Sequence, residues 1–174
     1  MTELHRPRLL AVSAYSGTGK TTLLTHVIPL LKKKGLRIGV IKHTHHDMDI
    51  DKPGKDSYAL RKAGAKQTLV ASNQRWALMT ETQEAKEVDL YEMVSKMDVD
   101  TLDVVLVEGF RHEKVPKIVL SRRGLSKKNA HDLLDSYAIA IASDDDEDRQ
   151  LPLPWLDIND PQQVADFIEG WIRG

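Results

Sequence analysis

The chain has no cysteine. Disulfide staples and thiolate metal sites are therefore excluded, and the composition fits a reducing compartment. Net charge is also nearly absent: 25 Lys and Arg stand against 26 Asp and Glu, leaving −1 at pH 7. No global field draws such a chain to nucleic acid or to an anionic membrane, so neither is expected as a partner. No apolar run reaches the length that spans a bilayer. The stretch Met1–Arg8 is polar and lacks the apolar region of a signal peptide. These absences lead to the expectation of a soluble cytoplasmic protein.

What is present suits one compact domain over residues 1–174, large enough to bury a core without staples. Leu9–Val12 reads as a buried strand, followed by a glycine-rich turn at Ser16–Gly19. Leu23, Leu24, Val27, Ile28 and Leu31 then fall on one helical face, which Pro29 interrupts and Gly35 ends. Arg37–Ile41, Leu102–Val107, Ile118–Leu120 and Ala138–Ala142 read as further strands. Ser57 is expected to cap a short helix ending at Gly64, and Val88–Met97 is a second helical candidate. Gln67–Ala71 and Trp76–Thr80 predict a hairpin turning at Asn73 and Gln74. Asp160 and Pro161 open a last helix whose apolar positions Val164, Phe167, Ile168, Trp171 and Ile172 share one face. Arg122–Asp135 is polar and ambiguous, and the acidic run Asp144–Asp148 reads as a solvated loop. Alternating strands and helices predict an α/β fold: a three-layer α/β/α arrangement of the P-loop NTPase type, with a mostly parallel sheet and an added β-hairpin.

The chemistry concentrates at Ala14–Thr21, AYSGTGKT. This is a Walker A phosphate loop with Ala14 in place of the usual first glycine. Gly17 and Gly19 let the backbone curl so that N–H groups from Ser16 to Gly19 point inward, and the helix opening near Lys20 adds its positive end. Lys20 is placed to reach the β- and γ-phosphates, the Thr21 hydroxyl to ligate magnesium, and Thr22 to cover an inner phosphate. Such a site needs an acidic group at the end of a neighbouring buried strand. Glu108 follows the most apolar strand and fits that place, as a magnesium ligand or as the group that orients an attacking water. Asp103 lies at the wrong end of the strand and reads as structural.

The polar stretch His43–Asp56 holds three of the seven histidines together with Asp47, Asp49 and Asp51. Three readings stay open for it: a phosphate-side or substrate-side loop, a divalent metal site, and a solvated loop. Lys52, Lys55 and Arg61 offer charges to an anionic ligand. The guanine signature N-K-x-D is absent, so the motifs alone do not choose between GTP and ATP. Asp144 follows a predicted strand at the ligand-binding edge, where a carboxylate can accept the N1–H and N2–H of guanine.

Together, AYSGTGKTTLL, IKHTHHDMDIDKPGKDSY, RKAGA, RWALMTE, LVEGFRHE and LDIND resemble the molybdopterin-guanine dinucleotide biosynthesis protein B (MobB) family. The resemblance runs from about Leu9 to Trp171. It implies a dimeric GTP-binding adapter with weak magnesium-dependent GTPase activity, working beside the nucleotidyltransferase (MobA-type) that joins GMP to molybdopterin. By position it places the phosphate loop at Ser16–Thr22 and the acidic strand end at Glu108. The alternatives are an ATP-dependent small-molecule kinase with His43–Arg61 as acceptor site, and a metal chaperone using the histidines. Trp76, Leu78 and Met79 in the hairpin are the expected contacts of a homodimer.

Overall fold

The computed structural model describes residues 6–44, 50–82, 87–110, 112–124 and 130–174. In chain order its elements are β1 (Arg8–Ser13), α1 (Lys20–Lys33), β2 (Ile38–Lys42), α2 (Asp56–Lys62), β3 (Gln67–Ala71), β4 (Trp76–Thr80), α3 (Leu90–Ser95), β5 (Val104–Glu108), β6 (Lys117–Leu120), β7 (Ala138–Ser143), β8 (Trp155–Asp157) and α4 (Pro161–Arg173). Short 3₁₀ turns occupy Val99–Thr101, Ala130–Leu133 and Asp146–Gln150. The chain divides into two compact units, residues 1–43 with 89–174, and residues 44–88.

The larger unit is built on a six-stranded sheet in the order β2-β5-β1-β6-β7-β8, parallel at every pairing. Parallel pairing puts all carboxyl ends on one edge, the edge where open α/β sheets bind ligands. Side chains alternate across the sheet. Leu10, Val12, Val104, Leu106, Ile118 and Leu120 face α1 and α4, meeting Leu23, Val27, Leu31, Val164 and Ile168. Ala11, Val105 and Val107 face the opposite way, toward Leu90 of α3, Phe110 and Val115. The result is three layers, as the alternating pattern predicts. Val27 and Leu31 are fully buried, and truncating Leu31 to alanine costs about 2–5 kcal/mol.

Local chemistry explains most boundaries. Pro29 does not interrupt α1 as expected: the helix runs through it, with its ring exposed, and ends at Gly35 with φ near 83°. Asp160 accepts the N–H groups of Gln162 and Gln163 and so caps α4 at Pro161. Asp103 is structural, as its position implies: its carboxylate receives the Arg37 backbone N–H at 2.7 Å and the Arg37 guanidinium at 2.8 Å.

Other expectations change as well. The short helix starts at Asp56 after Lys55, not at a Ser57 cap. The helix within Val88–Met97 covers only Leu90–Ser95, because Asp89 is its cap. The strand expected from Leu102 begins at Val104, after a 3₁₀ turn. A short strand, β8, was not anticipated, since three residues carry no periodicity.

The smaller unit holds α2 and the antiparallel β3–β4 hairpin, whose ends match the sequence reading. Ser72 Oγ accepts from the Gln74 and Arg75 N–H groups and shapes the turn. Arg61 is not offered to a ligand here. Its guanidinium bonds Asp51 at 2.7 Å and Glu81 at 3.1 Å.

Candidate functional site: a phosphate loop at the carboxyl edge of the sheet

The loop leaves β1 at Ser13 and enters α1 at Lys20. Two glycines make the curl: Gly17 and Gly19 take φ of 84° and 96°, a region costly for side-chain-bearing residues. Thr18 closes the turn, its hydroxyl donating to the Tyr15 carbonyl at 2.8 Å. Ala14 lies 2% exposed within the core and has no positive φ, so the departure from glycine adds a packed methyl without strain. Gly19 is the N-cap of α1, with no side-chain cap and no acidic residue in the first turn. By contrast, α3 and α4 spend Asp89 and Asp160 on their first turns. The α1 amide groups are thus left for an anion. Lys20 Nζ folds back on the loop, donating to the Ala14 carbonyl at 3.1 Å. Ser16, Gly17, Thr21 and Thr22 are exposed along the same rim.

Glu108 ends β5 and is in register with Val12 on β1 and with Lys42 on β2. Its side chain is only 13% exposed, and Lys42 Nζ stands 3.7 Å from its carboxylate. That is an ion pair longer than a hydrogen bond. A hydroxyl and a carboxylate are hard oxygen donors of the kind magnesium takes, so Thr21 and Glu108 fit that ion in donor chemistry. The turn after Glu108 is made by Gly109, packed on the His43 backbone, and His43 donates its N–H to the Glu108 carbonyl at 2.8 Å.

On the other side of β1, Arg122 reaches the loop. Nothing in the sequence reading singled it out, because it opens a polar segment without periodicity. Its place two residues beyond β6, at the ligand-binding edge of a parallel sheet, is the signal that would have found it. Its Nε donates to the Thr18 carbonyl at 3.1 Å, and one terminal nitrogen bonds Asp144 at 3.2 Å and Asn159 at 3.0 Å. Asp144 also accepts the Arg123 backbone N–H at 2.8 Å. Beside these groups lies a cavity of about 380 Å³, bounded by Gly19, Thr22, Leu23, Arg122, Ile158 and Asn159 among others.

The acidic run does not behave as a solvated loop throughout. Asp148 is buried, accepts from the Ser143 hydroxyl and lies 2.7 Å from His131 Nε2. A buried carboxylate needs such partners, and they tie the Ala130–Leu133 turn to the end of β7. Nearby, Lys117 is fully buried in β6 and pairs with Asp135 at 2.7 Å. Of the histidine-rich stretch, residues 45–49 lie outside the described residues. Among the described residues no group of three His, Asp or Glu side chains gathers as a metal site. No helix among them is long and apolar enough to cross a membrane.

A family model described as molybdopterin guanine dinucleotide synthesis protein B matches residues 9–144. The chain belongs to the MobB family. An adapter protein of molybdopterin-guanine dinucleotide biosynthesis from Escherichia coli is 56% identical over 95% of this chain and 93% of its own. The Haemophilus influenzae protein described in the same words is 45% identical over 95% of this chain and 89% of its own. A crystal structure of molybdopterin-guanine biosynthesis protein B superposes with a TM-score of 0.77 at 25% identity, covering 95% of this chain and 99% of that one. The α/β fold with its parallel sheet is therefore the MobB fold. The family match takes in the loop from Ala14 to Thr22, Glu108, Arg122 and Asp144, and stops before Asn159.

Proposed function

We propose that this MobB-family chain is a GTP-binding adapter in molybdopterin guanine dinucleotide biosynthesis, a cytoplasmic homodimer with weak magnesium-dependent GTPase activity. The observation that carries the reading is the uncapped start of α1 at Lys20 and Thr21, one strand away from the largely buried Glu108. Ser16–Gly19 supply backbone N–H groups to a triphosphate, Lys20 its charge, Thr21 and Glu108 oxygens for magnesium, and Thr22 a contact to an inner phosphate. The magnesium ion, when bound, screens the phosphate charge. Asp144 at the end of β7 is the carboxylate that receives guanine. The adapter role comes from the relatives' shared description, and its natural partner is the nucleotidyltransferase that joins GMP to molybdopterin.

The same arrangement argues for slow turnover. Fast hydrolysis needs a positioned water and an arginine that meets charge developing in the transition state. Arg122 touches the loop, but it follows β6, on the opposite side of β1 from Glu108, and its guanidinium is held by Thr18, Asp144 and Asn159. Glu108 is left with both magnesium and water. Steady-state phosphate release by the purified chain is expected below roughly one per second, the low end of ordinary enzymes, and Glu108→Gln is expected to lower it more than it lowers GTP affinity. Turnover of tens per second without a partner would make the chain a self-sufficient enzyme and end the adapter reading.

A further inference from the structure

Arg122 joins the phosphate loop to the far half of the sheet's binding edge. In the sheet, β1, β6, β7 and β8 are neighbours in that order. Arg122 follows β6, and its guanidinium bonds one acceptor beyond each of the others: the Thr18 carbonyl after β1, Asp144 after β7 and Asn159 after β8. A planar fork of fixed N–H donors can hold three such acceptors at set angles, which an ammonium on a flexible stem cannot.

Two consequences follow from these bonds. In a trans peptide the carbonyl and the next N–H point in opposite directions. Arg122 holds the Thr18 carbonyl toward itself, so the Gly19 N–H points the other way, away from the cavity that Arg122 lines. The Thr18–Gly19 peptide plane turns on Thr18 ψ and Gly19 φ, the latter soft for want of a Cβ, and this bond helps to set it. Meanwhile Arg122 on one oxygen and the Arg123 N–H on the other fix the plane of the Asp144 carboxylate. Each oxygen keeps a second lone pair. The adjoining cavity is polar at Thr22, His26, Arg122 and Asn159 and apolar at Leu23, Ile158 and Pro161, a mixed lining that suits a flat heterocycle with polar edges.

We propose that Arg122 is a positioning residue that couples phosphate binding to base selection, orienting the Gly19 N–H for the triphosphate and the Asp144 carboxylate for a purine with two adjacent N–H donors. This rests on the nucleotide reading given above. Removing the guanidinium then damages both ends of the nucleotide site at once, whereas loss of Asp144 damages only base selection and loss of Lys20 only phosphate binding. A residue that merely staples surface loops would lower the melting temperature and leave selectivity alone.

The test uses the full chain with magnesium and three probes: GTP, ATP and inorganic tripolyphosphate, which has no base. Dissociation constants are measured for the unaltered protein and for Arg122→Lys, Arg122→Gln, Asp144→Ala and the double variant Arg122→Lys/Asp144→Ala. Either Arg122 variant is expected to weaken GTP by about ten- to a hundredfold, the range of charge-assisted hydrogen bonds. The GTP-to-ATP preference is expected to collapse, and tripolyphosphate is expected to bind more weakly as well. The double variant is expected to lose less GTP affinity than the product of the single losses, since Arg122 acts in part through Asp144. Lysine keeps the charge, so a folded Arg122→Lys decides the matter if Arg122→Gln does not fold. An unchanged GTP-to-ATP ratio, or unchanged tripolyphosphate affinity, overturns the coupling while the nucleotide site stands. Failure of the unaltered chain to bind any of the three overturns the nucleotide reading, and the coupling with it.

Discussion

The carbonyl oxygen of His43 occupies the space that a side chain on Gly109 would need: a Cβ built there would lie 2.6 Å from it. Gly109 also takes φ of 98°. Backbone, unlike the tip of a flexible side chain, cannot swing aside. Gly109→Ala therefore combines left-handed strain with overlap, and a loss of about 2–4 kcal/mol is expected in urea unfolding. Because this turn sets the direction in which Glu108 leaves β5, phosphate release should fall beyond what the fraction unfolded explains. A variant as stable and active as the unaltered chain would show that the β2 and β5 ends are free to separate.

Asp135 gives the pH dependence a sign. Burial alone would push its carboxyl up, but hydrogen bonds from Lys117 and from the Tyr137 and Ala138 N–H groups outweigh that and hold it below the usual carboxylate range. A group whose pKa is lower folded than unfolded contributes fully above the unfolded value of about 4, and the contribution is lost as pH falls through the folded one. Asp135→Asn is expected to be the less stable protein at neutral pH, with the gap narrowing below about pH 4. The check is the difference in unfolding free energy between variant and unaltered chain across that range. A gap that is constant down to acid would remove the Lys117–Asp135 pair from the account.

Much of this was legible because local rules and tertiary demands agreed. AYSGTGKT predicts the turn and the helix after it, and Gly17 and Gly19 adopt the positive φ that the motif requires. The hairpin ends at Gln67–Ala71 and Trp76–Thr80 followed from two short strands around Asn73 and Gln74. Where the reading fell short, the deciding partner was distant in sequence. Asp148 reads as solvated until Ser143 and His131 are folded against it. Arg122 has no local signature at all: its acceptors lie 104, 22 and 37 residues away. The cap of α2 was misplaced because Ser57 is a good capping residue on propensity alone, whereas the helix begins earlier, after an extended Lys55.

The hairpin of the smaller unit offers a surface for the proposed dimer. Leu69 pairs with Leu78 and Ala71 with Trp76 across one face, and Trp76 is 67% exposed. An exposed apolar face on a two-stranded sheet is an uncommon feature in a solitary protein and a ready surface for a second copy. Sedimentation is expected to give a dimer at micromolar concentration, and Trp76→Glu to shift it toward monomer with circular dichroism unchanged. A monomeric mass for the unaltered chain throughout that range would remove the dimer from the proposal.

The central claim is that Lys20 and the α1 amide groups hold the phosphates of GTP. It is tested most directly by calorimetric titration of GTP with magnesium into the unaltered chain and into Lys20→Ala. Saturable binding is expected, stronger for GTP than for ATP, with near-complete loss in a Lys20→Ala protein whose circular dichroism is unchanged. Equal GTP affinity in the two folded proteins would contradict it.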